Sequence, residues 1–246
     1  MDFFSLVVAV VQEVWELYNV AEDFSQSVDL AASHPDKLTE LRALFETEAQ
    51  RYGVYPLRDA SARRGGDYAP PHSMEGHSKM TYGPMHIRLP EHGVINLKNT
   101  SYRITATVVV EIGGQGVIAC QGGNMAGWSL YLDEASRPSY VYNWFGHEFT
   151  TLVGEPLVSG EHQICVEYAH DGGFAAGGEL KLMVDGGLVA EGRVERTVPV
   201  IFSMSGETFD VGRDTGSPVG KYPHDFAFTG VIHGVTLERL AEPSGR

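Results

Sequence analysis

The sequence predicts an antiparallel β-sandwich over residues 85–246, preceded by a small strand–helix unit of α+β character over residues 1–57. Three observations predict it. Tyr102, Ile104, Ala106, Val108, Val110 and Ile112 recur at every second position, the period of a strand with one buried face. Short strand-like runs then succeed one another at spacings of roughly 8–12 residues, with turn residues between them. No helix-period stretch interrupts this region, so parallel βαβ arrangements fall away.

Along the chain, Val7–Val11 reads as a buried strand, and Trp15–Tyr18 as an extension of the same edge. A helix comes next. Ser33 is placed to cap it, Pro35 suits its first turn, and Asp36 sits at the positive end of its dipole. Leu38, Leu41, Leu44, Phe45 and Tyr52 form one apolar face at helical spacing, and Gly53 closes the helix. A strand and one helix do not make a stable domain by themselves, so this stripe needs a partner surface.

Residues 58–84 are polar, then rich in glycine and proline. They are read as an extended linker without regular structure. The expected strands of the sandwich are 102–112, 116–121, 127–132, 139–144, 148–153, 161–169, 179–185, 188–191, 198–204, 209–211 and 231–240. Asp185 and Gly186 are residue types that tolerate positive φ, so a tight hairpin is expected there.

The chain has 246 residues and a net charge of −14. That balance excludes recognition of nucleic acid through its phosphates and docking on an anionic membrane. Residues 1–57 alone hold 10 acids and 3 bases. The apolar N-terminal run is too short to span a bilayer and carries Asp2 where a signal peptide needs basic residues. The sequence therefore reads as cytoplasmic.

No catalytic signature is present: neither GxSxG, HExxH, a phosphate-binding GxxxxGK[ST] nor GxGxxG occurs. Cys120 and Cys165 lie in strand-like runs. They allow a disulfide or a metal site, or are two small buried thiols, and no zinc spacing supports the former. His72 and His77 flank Glu75 in the linker, where a metal would lack rigid support. Glu191 with Glu195 and Glu207 with Asp210 are the local carboxylate pairs, and neither has the spacing of two that one strand face requires.

The candidate ligand contacts are Tyr140, Tyr142, Trp144 and Asp214. The three aromatic residues alternate on one strand face, as a shelf that stacks a glycan or an aryl group, or as core. Within residues 209–219, Asp210 and Asp214 could hold Ca²⁺ with backbone carbonyls. Alternatively, Gly212 and Gly216 shape a turn whose amides Asp214 satisfies. No cofactor and no catalytic or metal-ligating residue is assigned.

Two segments resemble the bacterial arylsulfatases. Residues 15–30 are similar to that family's W-x-L-Y-(N/D)-x-x-x-D-x-x-E-x-x-(D/N)-L signature, through Trp15, Leu17, Tyr18, Asn19, Asp23, Asp29 and Leu30. Ser27, or nearby Gln26, stands where an acid is usual. The helix after it, and then residues 54–57, match how that fold closes. Residues 127–132, 140–143 and 209–219 resemble the extra C-terminal sandwich, of concanavalin/laminin-G-like jelly-roll type, that a subset of these enzymes carries.

The resemblance implies a C-terminal region whose catalytic half is absent. The family's formylglycine motif, C/S-x-P/A-x-R, fits neither Cys120 nor Cys165, and no Asp-Asn dipeptide occurs. The expected role is structural, or the shaping of a substrate rim, beside a separate sulfatase catalytic chain. The alternative is a free-standing carbohydrate-binding sandwich module. A homodimer through the strand edge and the Leu41–Leu44 helix face is the expected assembly.

Overall fold

The computed structural model describes residues 15–55, 74 and 76–240. The chain divides into two compact units, Met1–Pro70 and Pro71–Arg246. The strand expected over Val7–Val11 lies outside the described residues.

In the first unit, α1 spans Pro35–Arg51. Pro35 opens it and Asp36 lies in its first turn, as expected. Ser33 does not cap it. The N-cap position is His34, which makes no side-chain cap bond, and the Ser33 hydroxyl donates instead to the Leu30 carbonyl, 3.1 Å away. Gly53 ends the helix with φ +65°, the left-handed conformation that a residue without Cβ adopts most readily.

Trp15–Tyr18 is not a strand edge. The Asp29 carboxylate accepts the Leu17 amide at 2.9 Å, and the Leu17 carbonyl accepts the Leu30 amide at 2.7 Å, so a side chain takes the bond a ladder would use. The Trp15 ring meets the Phe45 ring edge-on at 5.3 Å, under the Arg42 guanidinium. Leu38 and Phe45 are half-buried, Leu41, Leu44 and Tyr52 are exposed, and Ala49 is the one buried residue of α1.

The second unit is the antiparallel β-sandwich the sequence predicts. Its strands are β1 (Lys79–Tyr82), β2 (Tyr102–Val110), β3 (Gly116–Gly123), β4 (Ala126–Leu132), β5 (Pro138–Trp144), β6 (Glu148–Val153), β7 (Gly160–His170), β8 (Gly178–Val184), β9 (Gly187–Val194), β10 (Phe209–Val211) and β11 (Gly230–Arg239). A six-stranded sheet runs β1-β11-β2-β7-β8-β9, and a five-stranded sheet runs β10-β3-β4-β5-β6. All neighbours pair antiparallel.

The two sheets bury their facing side chains against each other. Ile104, Ala106, Val108, Ile164, Val166, Leu180 and Leu182 from the larger sheet meet Trp128, Leu130, Leu132, Tyr140 and Phe209 from the smaller. β2 alternates buried and half-buried along its whole length, because its other face carries Arg103, Thr105, Thr107 and Val109 toward the solvent side. Arg103, paired there with Glu167, belongs to that outer face.

Three departures from the expected strands have physical causes. β1 lies within residues 58–84, where no regular structure was expected; four residues are too few to show a period, and pairing with β11 supplies the order. β2 ends at Val110. Ile112 is 95% exposed, and the Gly114 amide reaches back to the Glu111 carbonyl to close a turn. The apolar run 198–204 is not a strand. Pro199 has no amide to give a ladder, and the Glu91 carboxylate accepts the Phe202 and Ser203 amides instead. Lys98, buried beside Phe202, neutralises Glu91.

β3, β4 and all of β5 except Trp144 are buried on both faces. The inner face meets the other sheet. The outer face is covered by residues 212–228, whose Val219, Tyr222 and Phe226 pack on Val117, Cys120, Tyr131 and Val141. This strap is pinned where the Val117 amide donates to the Phe226 carbonyl at 2.7 Å.

The hairpin between β8 and β9 turns on Asp185 and Gly186, with φ +50° and +81°, as expected of a two-residue turn of the mirror-image kind. Asp185 also holds His162: its Oδ2 lies 2.8 Å from Nδ1, while Nε2 lies 2.9 Å from the Val158 carbonyl. Both ring nitrogens face acceptors, so the imidazolium satisfies both. Partial burial lowers the His162 pKa, but the bonds to Asp185 and Val158 outweigh it and raise the net value. A raised folded value stabilises the protein fully below the ordinary histidine range, and the contribution is lost as pH rises through the folded value. His162→Gln is expected to destabilise the chain more at about pH 5 than at about pH 9, as read from urea midpoints. Equal losses at both pH values would contradict the pairing.

Candidate functional site

The strap over the five-stranded sheet begins where β10 ends, and successive residues there point in opposite directions. Arg213 is exposed and Asp214 is buried. Outward, an open groove of about 420 Å³ is lined by Pro84 and Ile87 from the chain after β1, by Val211, Gly212 and Arg213, by Phe228 just before β11, and by Gly230, Val231 and Ile232 within it. Its lining is mixed polar and apolar, and Arg213 is its one ionisable side chain. The Arg213 Nε lies 3.5 Å from the Asp225 carboxylate. Both terminal nitrogens are left without a partner among the described residues. That fork of donors has the geometry to grip a carboxylate or sulfate with two parallel bonds.

Inward, two carboxylates lie close together. Asp210 accepts the Arg88 amide on Oδ1, and the Thr208 hydroxyl, Thr215 amide and Thr215 hydroxyl on Oδ2. Asp214 accepts the Gly216 amide on Oδ1, and the Val219 amide and Tyr222 hydroxyl on Oδ2. Burial pushes the Asp214 carboxyl above its ordinary range against the pull of those three donors, and the charge of Asp210 adds to the rise. Burial likewise raises the Tyr222 phenol and the Cys120 thiol. Both cysteines are free thiols, Cys120 buried and Cys165 half-buried.

Of the four side chains expected as ligand contacts, Tyr140 and Tyr142 face the core between the sheets. The Tyr140 hydroxyl shares a hydrogen bond with Tyr102 at 2.8 Å, and the Tyr142 hydroxyl accepts the Val198 amide at 2.9 Å. A ring in that position has no face open to a ligand. Trp144 is half-buried at the end of β5, with the Arg196 guanidinium 3.9 Å above its ring and Glu148 holding that guanidinium. Asp214 takes the local amides of the turn. The shelf is therefore core at two positions and capped at the third.

His72 and Glu75 lie outside the described residues. Glu207 accepts the Ser205 amide and the Ser217 hydroxyl. Glu191 and Glu195 are exposed. Sequence reasoning missed Arg213 and Phe228. The trace it left was a cation between Asp210 and Asp214 in a turn rich in glycine, which alone does not say which side chain turns outward.

Neither a protein-family model nor a curated protein sequence matches the chain. Solved structures do resemble it. The IT-sialidase CBM40 of Ruminococcus gnavus bound to α2,3-sialyllactose is 16% identical with a TM-score of 0.42, over 60% of this chain and 80% of that one. A heptameric SAP-like pentraxin from Limulus polyphemus is 12% identical with a TM-score of 0.38, over 67% and 78%. Domains LG4-5 of the mouse laminin α1 chain are 14% identical with a TM-score of 0.37, over 68% and 43%. No ligand or activity passes from them to this chain at such identities. Its function is to be sought in its own side chains.

Proposed function

We propose that the chain is a non-catalytic, saccharide-binding sandwich module whose groove at Arg213 takes a sugar bearing a carboxylate or sulfate. The observation that carries this reading is the Arg213 guanidinium, whose terminal nitrogens stay open while its Nε faces Asp225, set beside Phe228, Pro84 and Ile87 in an open groove. A sugar ring offers an apolar C–H face for Phe228, Pro84 and Ile87, and its oxyanion meets both terminal nitrogens of Arg213. With a net charge of −14, long-range attraction does not draw an anionic ligand in, so recognition falls to this short-range contact.

Calorimetric titration of neutral, uronic, sialylated and sulfated oligosaccharides tests the reading. Binding of the acidic members is expected, weakened about 10–100-fold by Arg213→Ala, the usual effect of losing a charge-assisted pair. Phe228→Ala weakens all members alike. An Arg213→Ala protein that binds acidic sugars as well as the parent does would overturn it.

A second reading, the C-terminal region of an arylsulfatase-like enzyme, is favoured by the local folding of residues 15–30. The side chains that match the family signature hold that segment together. Asp23 accepts the Ser27 and Val28 amides, Asn19 accepts the Ala21 amide, and Asp29 accepts the Leu17 and Ala31 amides. On this reading the exposed Leu41 and Leu44 are where a second copy or a separate catalytic chain seats. The chain alone is expected to release no product from a chromogenic aryl sulfate, with or without Ca²⁺. Turnover above a protein-free control would end this version of it.

A further inference from the structure

Asp210 and Asp214 carry two carboxylates into a layer that solvent does not reach, and each is 1% exposed. Cys120 is fully buried beside them, and its Sγ and one oxygen of each carboxylate all lie within 4.8 Å of one another. Among the described residues, no Lys, Arg or His pairs with either carboxylate; every donor to them is a neutral amide or hydroxyl. Two like charges this close, in a medium of low dielectric, repel each other strongly, and neutral donors do not cancel the charge.

A second, independent feature points the same way. Ser129 on β4 stands opposite Cys120 in the β3–β4 ladder, so both side chains face the layer beneath the strap. The Ser129 hydroxyl is fully buried, makes no well-formed hydrogen bond, and has a loose contact with the Tyr222 phenol that donates to Asp214. A buried hydroxyl so poorly satisfied has a lone pair to give a ligand.

We propose that Cys120, Asp210, Asp214 and Ser129 form a site for one divalent cation of borderline softness, Zn²⁺ or its like, that fastens the strap to the five-stranded sheet. The lone pairs allow it. Oδ1 of Asp210 and Oδ1 of Asp214 each accept a single amide, leaving one lone pair apiece. A thiolate with two carboxylate oxygens and a hydroxyl makes a four-coordinate set, which suits zinc; calcium and magnesium want six or more oxygens and no sulfur. On binding, the Cys120 thiol gives its proton to solvent and the sulfur electron pair goes to the metal. With both carboxylates ionised, three negative ligands then meet two positive charges. The buried excess falls from two charges to one.

The test uses the full chain, reduced, unfolded in urea with chelator, and refolded with Co²⁺ or Zn²⁺. One cobalt per chain and a sulfur-to-cobalt charge-transfer absorption in the near ultraviolet are expected. The absorption persists in Cys165→Ser and disappears in Cys120→Ser. The isosteric Asp214→Asn binds zinc about tenfold or more weakly and loses the rise in melting temperature that zinc gives the parent. Should Cys120→Ser not fold, Asp214→Asn still decides. A folded parent that takes up no cobalt overturns the proposal. So does a parent indifferent to zinc whose Asp214→Asn variant is more stable, since the two carboxylates then share a proton instead. Each outcome is independent of whether the Arg213 groove binds a saccharide.

Discussion

Trp128→Ala is expected to destabilise the sandwich by about 3–5 kcal/mol, the usual cost of emptying a large buried aromatic site. Trp128 is the largest fully buried side chain of the described residues. Its ring lies between Tyr140 and Phe209, with centroids 6.3 and 6.1 Å away. These neighbours sit on paired strands, so they cannot collapse into the space without shifting a ladder. The substitution also strands a polar atom: the indole Nε1 donates to Gln121 Oε1 at 3.2 Å, and Gln121 is 1% exposed. Urea unfolding monitored by circular dichroism gives the loss directly. A loss below about 1.5 kcal/mol would mean that the two sheets close over the gap, and that the ladders are not rigid.

Gly116→Ala is expected to do comparable damage for a different reason. Gly116 opens β3 with φ +113°, a conformation that L side chains rarely adopt. A Cβ there would stand 2.2 Å from the Ala227 carbonyl oxygen and 2.5 Å from the Phe228 Cα. Backbone, not a flexible side-chain tip, must move. What moves is the parallel bridge between Val117 and Ala227 that pins the strap. The matched control is Gly113→Ala, whose φ is also positive, at +71°, but which meets nothing within 4 Å. The control is expected to lose about 1–2 kcal/mol, the ordinary strain of a left-handed residue. Gly116→Ala loses more than twice that, with faster hydrogen exchange across residues 212–228. Equal losses at the two glycines would show that the close approach of the strap contributes nothing.

How much of the fold and the site was legible in the sequence depends on which forces are local. The alternation Tyr102 to Val110 could be read because β2 has one wet face, and the structure repeats it residue by residue. The Asp185–Gly186 turn could be read because positive φ is a property of the residues themselves. Ser33 misled because its hydroxyl had a nearer acceptor at Leu30. The run 198–204 misled because a carboxylate about a hundred positions away, that of Glu91, supplies what a ladder would have. Tyr140, Tyr142 and Trp144 fitted a core, the favoured reading, but also a ligand shelf, since period two says that a face exists but not what covers it. Asp210 and Asp214 were picked out together as the polar heart of their turn. Their nearness to Cys120 was hidden, because that contact joins β3 to the strap across some ninety residues. Arg213 escaped for the same reason: its groove is built from three segments that only the fold unites.

The three central strands of the five-stranded sheet, covered on both sides, have a bearing on how such a chain changes over generations. They have almost no position where a side chain can be exchanged freely, because both faces are packed. Sequence drift is pushed onto the outer face of the six-stranded sheet, where Arg103, Glu167 and Glu238 form ion pairs at the surface, and onto the loops. Descendants of one ancestor would then keep β3 to β5 and the strap recognisable while the rest of the sandwich diverged around them.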